Sequence, residues 1–200
     1  MQKIAKWYKS LHQITSTELR FCKNEEQKKQ TINSLVFRFN YDKDIIKNAG
    51  RINKLQSATR KSVESMIDYL EKLFQKYDCI FSRRMYNLVH LDPDASNILI
   101  QPDGCLKFID WEFGQFDIYE ADLAEFSWTW NLTKNQESDF LRFYGIENSK
   151  DVNLKFYLMQ LNSILGNIIG WLQGTAEEDF DTPILQRIHK MEDVIKRMIN

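Results

Sequence analysis

Asp92, Asn97 and Asp110 are the residues of this sequence whose types and spacing suit the transfer of a phosphoryl group. They fall in the segment LVHLDPDASNILIQPDGCLKFIDWEFGQ, residues 88–115, where His90, Asp92 and Asn97 form an H-x-D-x-x-x-x-N pattern on a loop between two β-prone runs. Asp110 ends the hairpin that follows, so three carboxylate or carboxamide groups come from loop and strand ends, where side chains can point into a cleft. Phosphoryl transfer asks little covalent help of a protein; it needs a hydroxyl aimed in line and divalent cations to neutralise phosphate charge. A carboxylate such as Asp92 can accept or orient the hydroxyl proton. Magnesium prefers hard oxygen ligands and keeps several waters, so the Asp110 carboxylate and the Asn97 carboxamide oxygen, alongside phosphate oxygens, make a suitable pair.

The elements that must position these groups can be read from periodicity. Ile4, Trp7, Tyr8, Leu11 and Ile14 recur at helical spacing and predict an amphipathic helix over the first dozen or so residues. The stretch to about Asn53 is weaker, with a mixed-charge run from Asn24 to Gln30 that reads as a solvated helix face and an apolar patch, Leu35 to Phe39, that fits helix or strand. Val63, Met66, Ile67, Leu70, Leu73, Phe74 and Tyr77 then mark a long core helix over residues 57–77. Three β-prone runs follow, at residues 86–91, 98–101 and 106–109, the last two joined by Pro102-Asp103-Gly104 as a tight hairpin. Beyond Trp111 the pattern is helical again over 120–130, 138–144, 151–172 and 183–198; Thr182 suits the cap of the last helix and Pro183 its first turn. The organisation is one domain over residues 1–200, mainly helical with a small β insert, an α+β chain with its catalytic segment at 88–124.

Composition excludes several classes. Twenty-seven basic and 28 acidic residues leave a net charge of -1, so no global field favours nucleic acid or an anionic membrane. The most apolar run, residues 156–172, is interrupted by Gln160, Asn162, Ser163 and Asn167, each costly in lipid, and no membrane span is expected. Lys3, Lys6 and Lys9 break the apolar stretch that a secretory signal needs. Cys22, Cys79 and Cys105 are odd in number and widely spaced, with no disulfide framework or zinc pair, which reads as a cytoplasmic protein.

His90-x-Asp92-x-x-x-x-Asn97-Ile98-Leu99, a short hairpin, Ile109-Asp110-Trp111-Glu112 and then Asp122-Leu123-Ala124 together resemble the aminoglycoside phosphotransferase and choline kinase superfamily. The opening Ile4-Ala5-Lys6-Trp7-Tyr8-x-x-Leu11-His12 is similar to the helix that follows the interlobe linker in that family. The resemblance spans roughly residues 1 to 175 and implies a protein-kinase-like C-terminal lobe with ATP as co-substrate and Mg2+ as cofactor. It implies Asp92 as catalytic base, Asn97 and Asp110 as magnesium ligands and Glu112 as an assistant to the metal. By the same resemblance His90 shapes the loop and Asp122 braces it. Two features depart from the family: Asp94-Ala95-Ser96 stands where it usually has Pro or His and then Gly before the Asn, with Pro93 following Asp92, and no Gly-rich strand-turn-strand or strand Lys precedes the motif. Gly166, Gly170 and Gly174 recur within or at the end of a helix, the wrong context for a phosphate loop.

The acceptor is left open between choline-like and aminoglycoside-like alcohols. Trp128 and Trp130, with Trp111, Trp171 and Tyr119, can offer ring faces to a quaternary ammonium or can be packing residues. Asp117, Glu120 and Glu125 can hold a polycation or form a solvated or capping face. His12 and His189 show no partner pattern and read as surface or core packing. Three outcomes follow from the nucleotide-gripping lobe that this sequence lacks. The chain is a truncated or split phosphotransferase that needs a separate nucleotide-binding lobe or chain, a non-catalytic ligand- or metal-binding module, or a stand-alone enzyme that uses residues 20–56 as a clamp.

Overall fold

Apolar residues one helical turn apart build most of what the computed structural model describes, residues 1–15, 35–48, 55–81, 86–146, 150–173 and 181–199. Helix α1 (Gln2–Leu11) buries Ala5, Tyr8 and Leu11 on one face and leaves Lys3, Lys6 and Lys9 outside it. It ends before Ile14, whose carbonyl instead accepts a hydrogen bond from the Leu88 N–H. Helix α2 (Leu35–Asn48) resolves the ambiguous patch at 35–39 as helix, and α3 (Ser57–Tyr77) is the long core helix that the spacing predicts. The run from Asn24 to Gln30 lies outside the described residues, as do residues 20–34 and 49–54 of the stretch 20–56.

Four three-residue strands follow: β1 (Asn87–Val89), β2 (Ile98–Ile100), β3 (Leu106–Phe108) and β4 (Gln115–Asp117). β2 and β3 form the expected hairpin, with Ile98 opposite Phe108 and Ile100 opposite Leu106. Its turn is closed by the Gly104 N–H on Gln101 O at 2.8 Å, and Gly104 takes the φ of +77° that this corner requires. The Asp103 carboxylate accepts the Cys105 N–H at 2.8 Å, which holds its own pKa below the ordinary value. β1 pairs antiparallel with β4 instead, Asn87 opposite Asp117. β4 went unread in the sequence because Gln115-Phe116-Asp117 has too few β-prone residues to signal a strand.

Helices α4 (Tyr119–Thr129), α5 (Lys134–Tyr144), α6 (Lys150–Gln173) and α7 (Asp181–Ile199) complete the chain. α5 starts four residues before the predicted 138, because Thr133 and Gln136 form a reciprocal capping box. α7 already includes Asp181, so Thr182 lies inside the helix, and the Asp181 carboxylate accepts the Gln56 N–H at 3.0 Å. Among the described residues no helix is long and apolar enough to cross a membrane.

The chain divides into two compact units, one from Met1–Ile32 and Arg84–Gln160, the other from Asn33–Arg83 and Leu161–Asn200. In the first, α1 packs on α5, β1 and β3. Trp7 stacks on Phe108 at 3.7 Å between ring centroids, and Tyr8 meets Phe126 and Phe140 edge-on. The second unit packs α2 and α7 on α3, with Phe39 edge-on to Phe74 and Ile184, Ile188, Met191 and Val194 as the buried stripe of α7. The capping box yields a direct test: Thr133→Ala is expected to lower stability by about 1 kcal/mol in urea denaturation, the usual cost of losing a side-chain cap.

Candidate active site

The loop after β1 is held by one buried carboxylate. Asp122, in the first turn of α4 and fully buried, accepts the His90 N–H at 2.9 and 3.0 Å and the Leu91 N–H at 2.7 Å. Its Oδ2 also takes the His12 Nε2–H at 3.0 Å. Leu91 has φ +63°, a left-handed conformation unusual for a branched side chain and worth roughly 1–3 kcal/mol of strain. The two backbone bonds to Asp122 offset it and turn the chain outward at Asp92.

His90 is also fully buried, edge-on to Trp111 at 4.6 Å. Its Nδ1 accepts the Asp92 N–H at 3.3 Å and its Nε2–H donates to Ile109 O at 2.9 Å, an arrangement that fixes the neutral Nε2–H tautomer. One imidazole therefore links the backbone of Asp92 to the residue before Asp110.

Asp92 is half-buried and Asn97 buried, and the structure joins them: Asn97 Nδ2–H donates to Asp92 Oδ2 at 2.6 Å. A turn at 94–97, closed by Asn97 N–H on Asp94 O and by Ser96 on the Asp94 carboxylate, places Asn97 back beside Asp92. Those bonds to Ser96 also hold the Asp94 carboxyl below its ordinary pKa. With the amide nitrogen of Asn97 engaged, its carboxamide oxygen remains for another partner. Ile109 N–H bonds Asn97 O at 3.0 Å, so Asp110 starts one residue beyond that contact, exposed and at φ +61°. Glu112 is exposed in the turn from Trp111 to Gly114. Among the described residues no three His, Cys, Asp or Glu side chains stand close enough to hold a metal ion. A carboxamide oxygen with one or two exposed carboxylates, the remainder being water and phosphate oxygen, nonetheless fits the hard-oxygen set that magnesium uses.

Of the expected acceptor residues, Trp130 is tied to the loop, its Nε1–H donating to Pro93 O at 2.7 Å. Trp128 and Glu125 are half-buried on α4, Glu125 accepting the Thr129 hydroxyl at 3.4 Å. Asp117 and Glu120 do not form a solvated face, since both are buried. Asp117 accepts the Ile118 N–H just before α4, and burial pushes the Glu120 carboxyl up from its ordinary pKa. Beside it, Tyr119 stacks on Tyr144; burial, then the Glu120 charge, raises the Tyr119 phenol to about 12, and burial raises Tyr144 further still. His12, which the sequence reads as surface or core packing, is buried and has a partner on each ring nitrogen. It links Asp122 to the Tyr144 hydroxyl, 2.9 Å from its Nδ1. Its signal in the sequence was its place one turn beyond Tyr8 on the buried stripe of α1.

Residues 1–162 match the Choline/ethanolamine kinase family. The chain belongs to that family. A "Protein LicA homolog" of Metamycoplasma hominis is 28% identical over 144 residues, which are 69% of this chain and 55% of the relative. Among solved structures, choline kinase from Cryptosporidium parvum superposes with a TM-score of 0.68 at 17% identity, over 98% of this chain and 64% of that one. A spectinomycin phosphotransferase in complex with ADP and spectinomycin gives a TM-score of 0.52 at 18% identity, over 96% and 61%. The fold is thus kinase-like and mainly helical, and the chain spans between a half and two thirds of the length of these relatives.

Two outcomes test this choline kinase family site. Asp122→Ala strands two loop N–H groups and the His12 ring, and is expected to cost roughly 3 kcal/mol or more in chemical denaturation, with rapid hydrogen exchange at the His90 and Leu91 amides. Glu120, its folded pKa raised, holds its proton in the native state at pH values where the unfolded chain has released it. Stability should therefore decline as pH rises above the ordinary glutamate range and level off beyond the raised value. Comparing denaturation midpoints of wild type and Glu120→Gln across that range should show the decline flattened in the variant.

Proposed function

We propose that this site transfers the γ-phosphoryl group of ATP, with magnesium, to the hydroxyl of a small cationic alcohol of the choline type. The observation that carries the reading is the 2.6 Å bond between Asn97 Nδ2 and Asp92 Oδ2 on a loop anchored by Asp122. It orients a half-buried carboxylate and points a carboxamide oxygen elsewhere.

In this reading Asp92 accepts the proton of the acceptor hydroxyl as its oxygen bonds to the γ-phosphorus and the bond to the ADP oxygen breaks. Asn97, through its carboxamide oxygen, and Asp110 would hold magnesium, with Glu112 assisting. Bound there, the ion supplies charge neutralisation on the phosphates. His90 and Asp122 keep the loop in place. Trp130 and Trp128 offer aromatic faces, and Glu125 a negative charge, to a cationic acceptor; a ring face attracts a quaternary ammonium by about 0.5–2 kcal/mol. A choline-type acceptor is favoured over an aminoglycoside because the family match is to choline/ethanolamine kinases, while burial takes Asp117 and Glu120 out of any polycation-binding face. The enzyme is placed in the cytoplasm, where ATP is available.

The relatives are longer than this chain, so turnover is assigned to an assembly in which a further lobe or chain grips the nucleotide. The second reading is a binding module without catalysis. Calorimetric titration of the purified chain with Mg-ATP tests the site, and a choline phosphorylation assay with the chain joined to the nucleotide-binding lobe of a longer family member separates the two: turnover supports the first reading, binding without turnover the second. Weak binding abolished by Asp110→Ala, with negligible turnover by the chain alone, is expected. Where turnover is present, Asp92→Asn should reduce it by about 10²- to 10⁴-fold. Undiminished turnover in that variant would remove Asp92 as the base.

A further inference from the structure

Asp92 lies between two tethers, and both come from α4. Asp122, in the first turn, takes the N–H groups of residues 90 and 91. Trp130, at the C-cap, gives its indole N–H to Pro93 O at 2.7 Å. A straight helix rises 1.5 Å per residue, so the two tethers are spaced by a rigid ruler about 12 Å long. Pro93 has no N–H, which leaves its carbonyl as the backbone handle at the position that follows Asp92. The indole is itself fixed: one face stacks on Phe126 at 5.5 Å, and Phe126 is buried against Phe140 at 4.7 Å. Trp130 as a whole residue remains 42% exposed.

We infer that Trp130 is a positioning residue for the catalytic loop, its indole N–H setting the placement of Asp92 while its exposed surface is offered to the acceptor. This deepens the proposed function and rests on the reading of Asp92 as proton acceptor. A cation on the open surface of the ring would bear on the same side chain that holds residue 93, so acceptor occupancy and loop placement share one group. Sequence spacing marks Trp130 as a ring; the hydrogen bond gives it a second role.

Trp130→Phe separates the roles, because it keeps an aromatic face on Phe126 and removes the donor. Amide hydrogen exchange followed by NMR on this chain requires no turnover. Faster exchange is expected at Asp92 and Asn97, with His90 and Leu91, held by Asp122, unchanged. In the active assembly kcat should decline about ten- to a hundredfold with the KM for choline nearly constant, the pattern of a displaced catalytic group. Trp130→Ala should raise KM as well. In the wild type the Trp130 indole proton should exchange slowly. Free-indole exchange there, or wild-type loop exchange in Trp130→Phe, overturns the inference. Asp92→Asn, measured in parallel, should reduce turnover by about 10²- to 10⁴-fold without altering loop exchange; if it leaves turnover intact, the catalytic reading is wrong while the tether still stands or falls on the exchange data.

Discussion

A single carboxylate buried under the loop after β1 is what the rest of the first unit depends on. Asp122 has no solvent to stabilise it, and a charge in that position is tolerable only when its oxygens are hydrogen-bonded. The His90 and Leu91 N–H groups and the His12 imidazole supply those bonds. The dependence runs both ways. Leu91 can hold a left-handed backbone because its N–H finds so strong an acceptor, and that backbone turns Asp92 away from the core.

Around this anchor the polar groups are graded by depth. Asp122 and His90 are sealed, Asn97 is nearly so, Asp92 is half-buried, and Asp110 and Glu112 face solvent. Buried groups fix geometry because every one of their bonds is made inside the protein. Exposed ones keep their oxygens open to solvent. The aromatic layer of Trp7, Phe108 and Trp111 around His90 gives the gradient its apolar wall.

Family membership adds meaning to residues that physical reasoning alone left ambiguous. Asp, Asn and His are ordinary loop residues, and their spacing gains force from the hairpin and the I-D-W-E run that follow in order. Pro93 directly follows Asp92, and it is at that residue that the Trp130 indole is bonded. A proline after the carboxylate and a helix-capping tryptophan thus meet at a point where neither is informative alone.

The sequence by itself determined the long helix at 57–77, the 98–108 hairpin with its Gly104 corner and the grouping of Asp92 with Asn97, because each depends on contacts between residues near in the chain. Only the tertiary structure decided that residues 87–89 pair with 115–117, that His12 meets Asp122 across 110 positions, that Asp117 and Glu120 are buried, and that Trp130 reaches Pro93. Local periodicity records which face of an element is apolar. It carries no record of which distant partner will lie against a polar side chain, since that is fixed by how helices and strands pack once the chain has closed on itself.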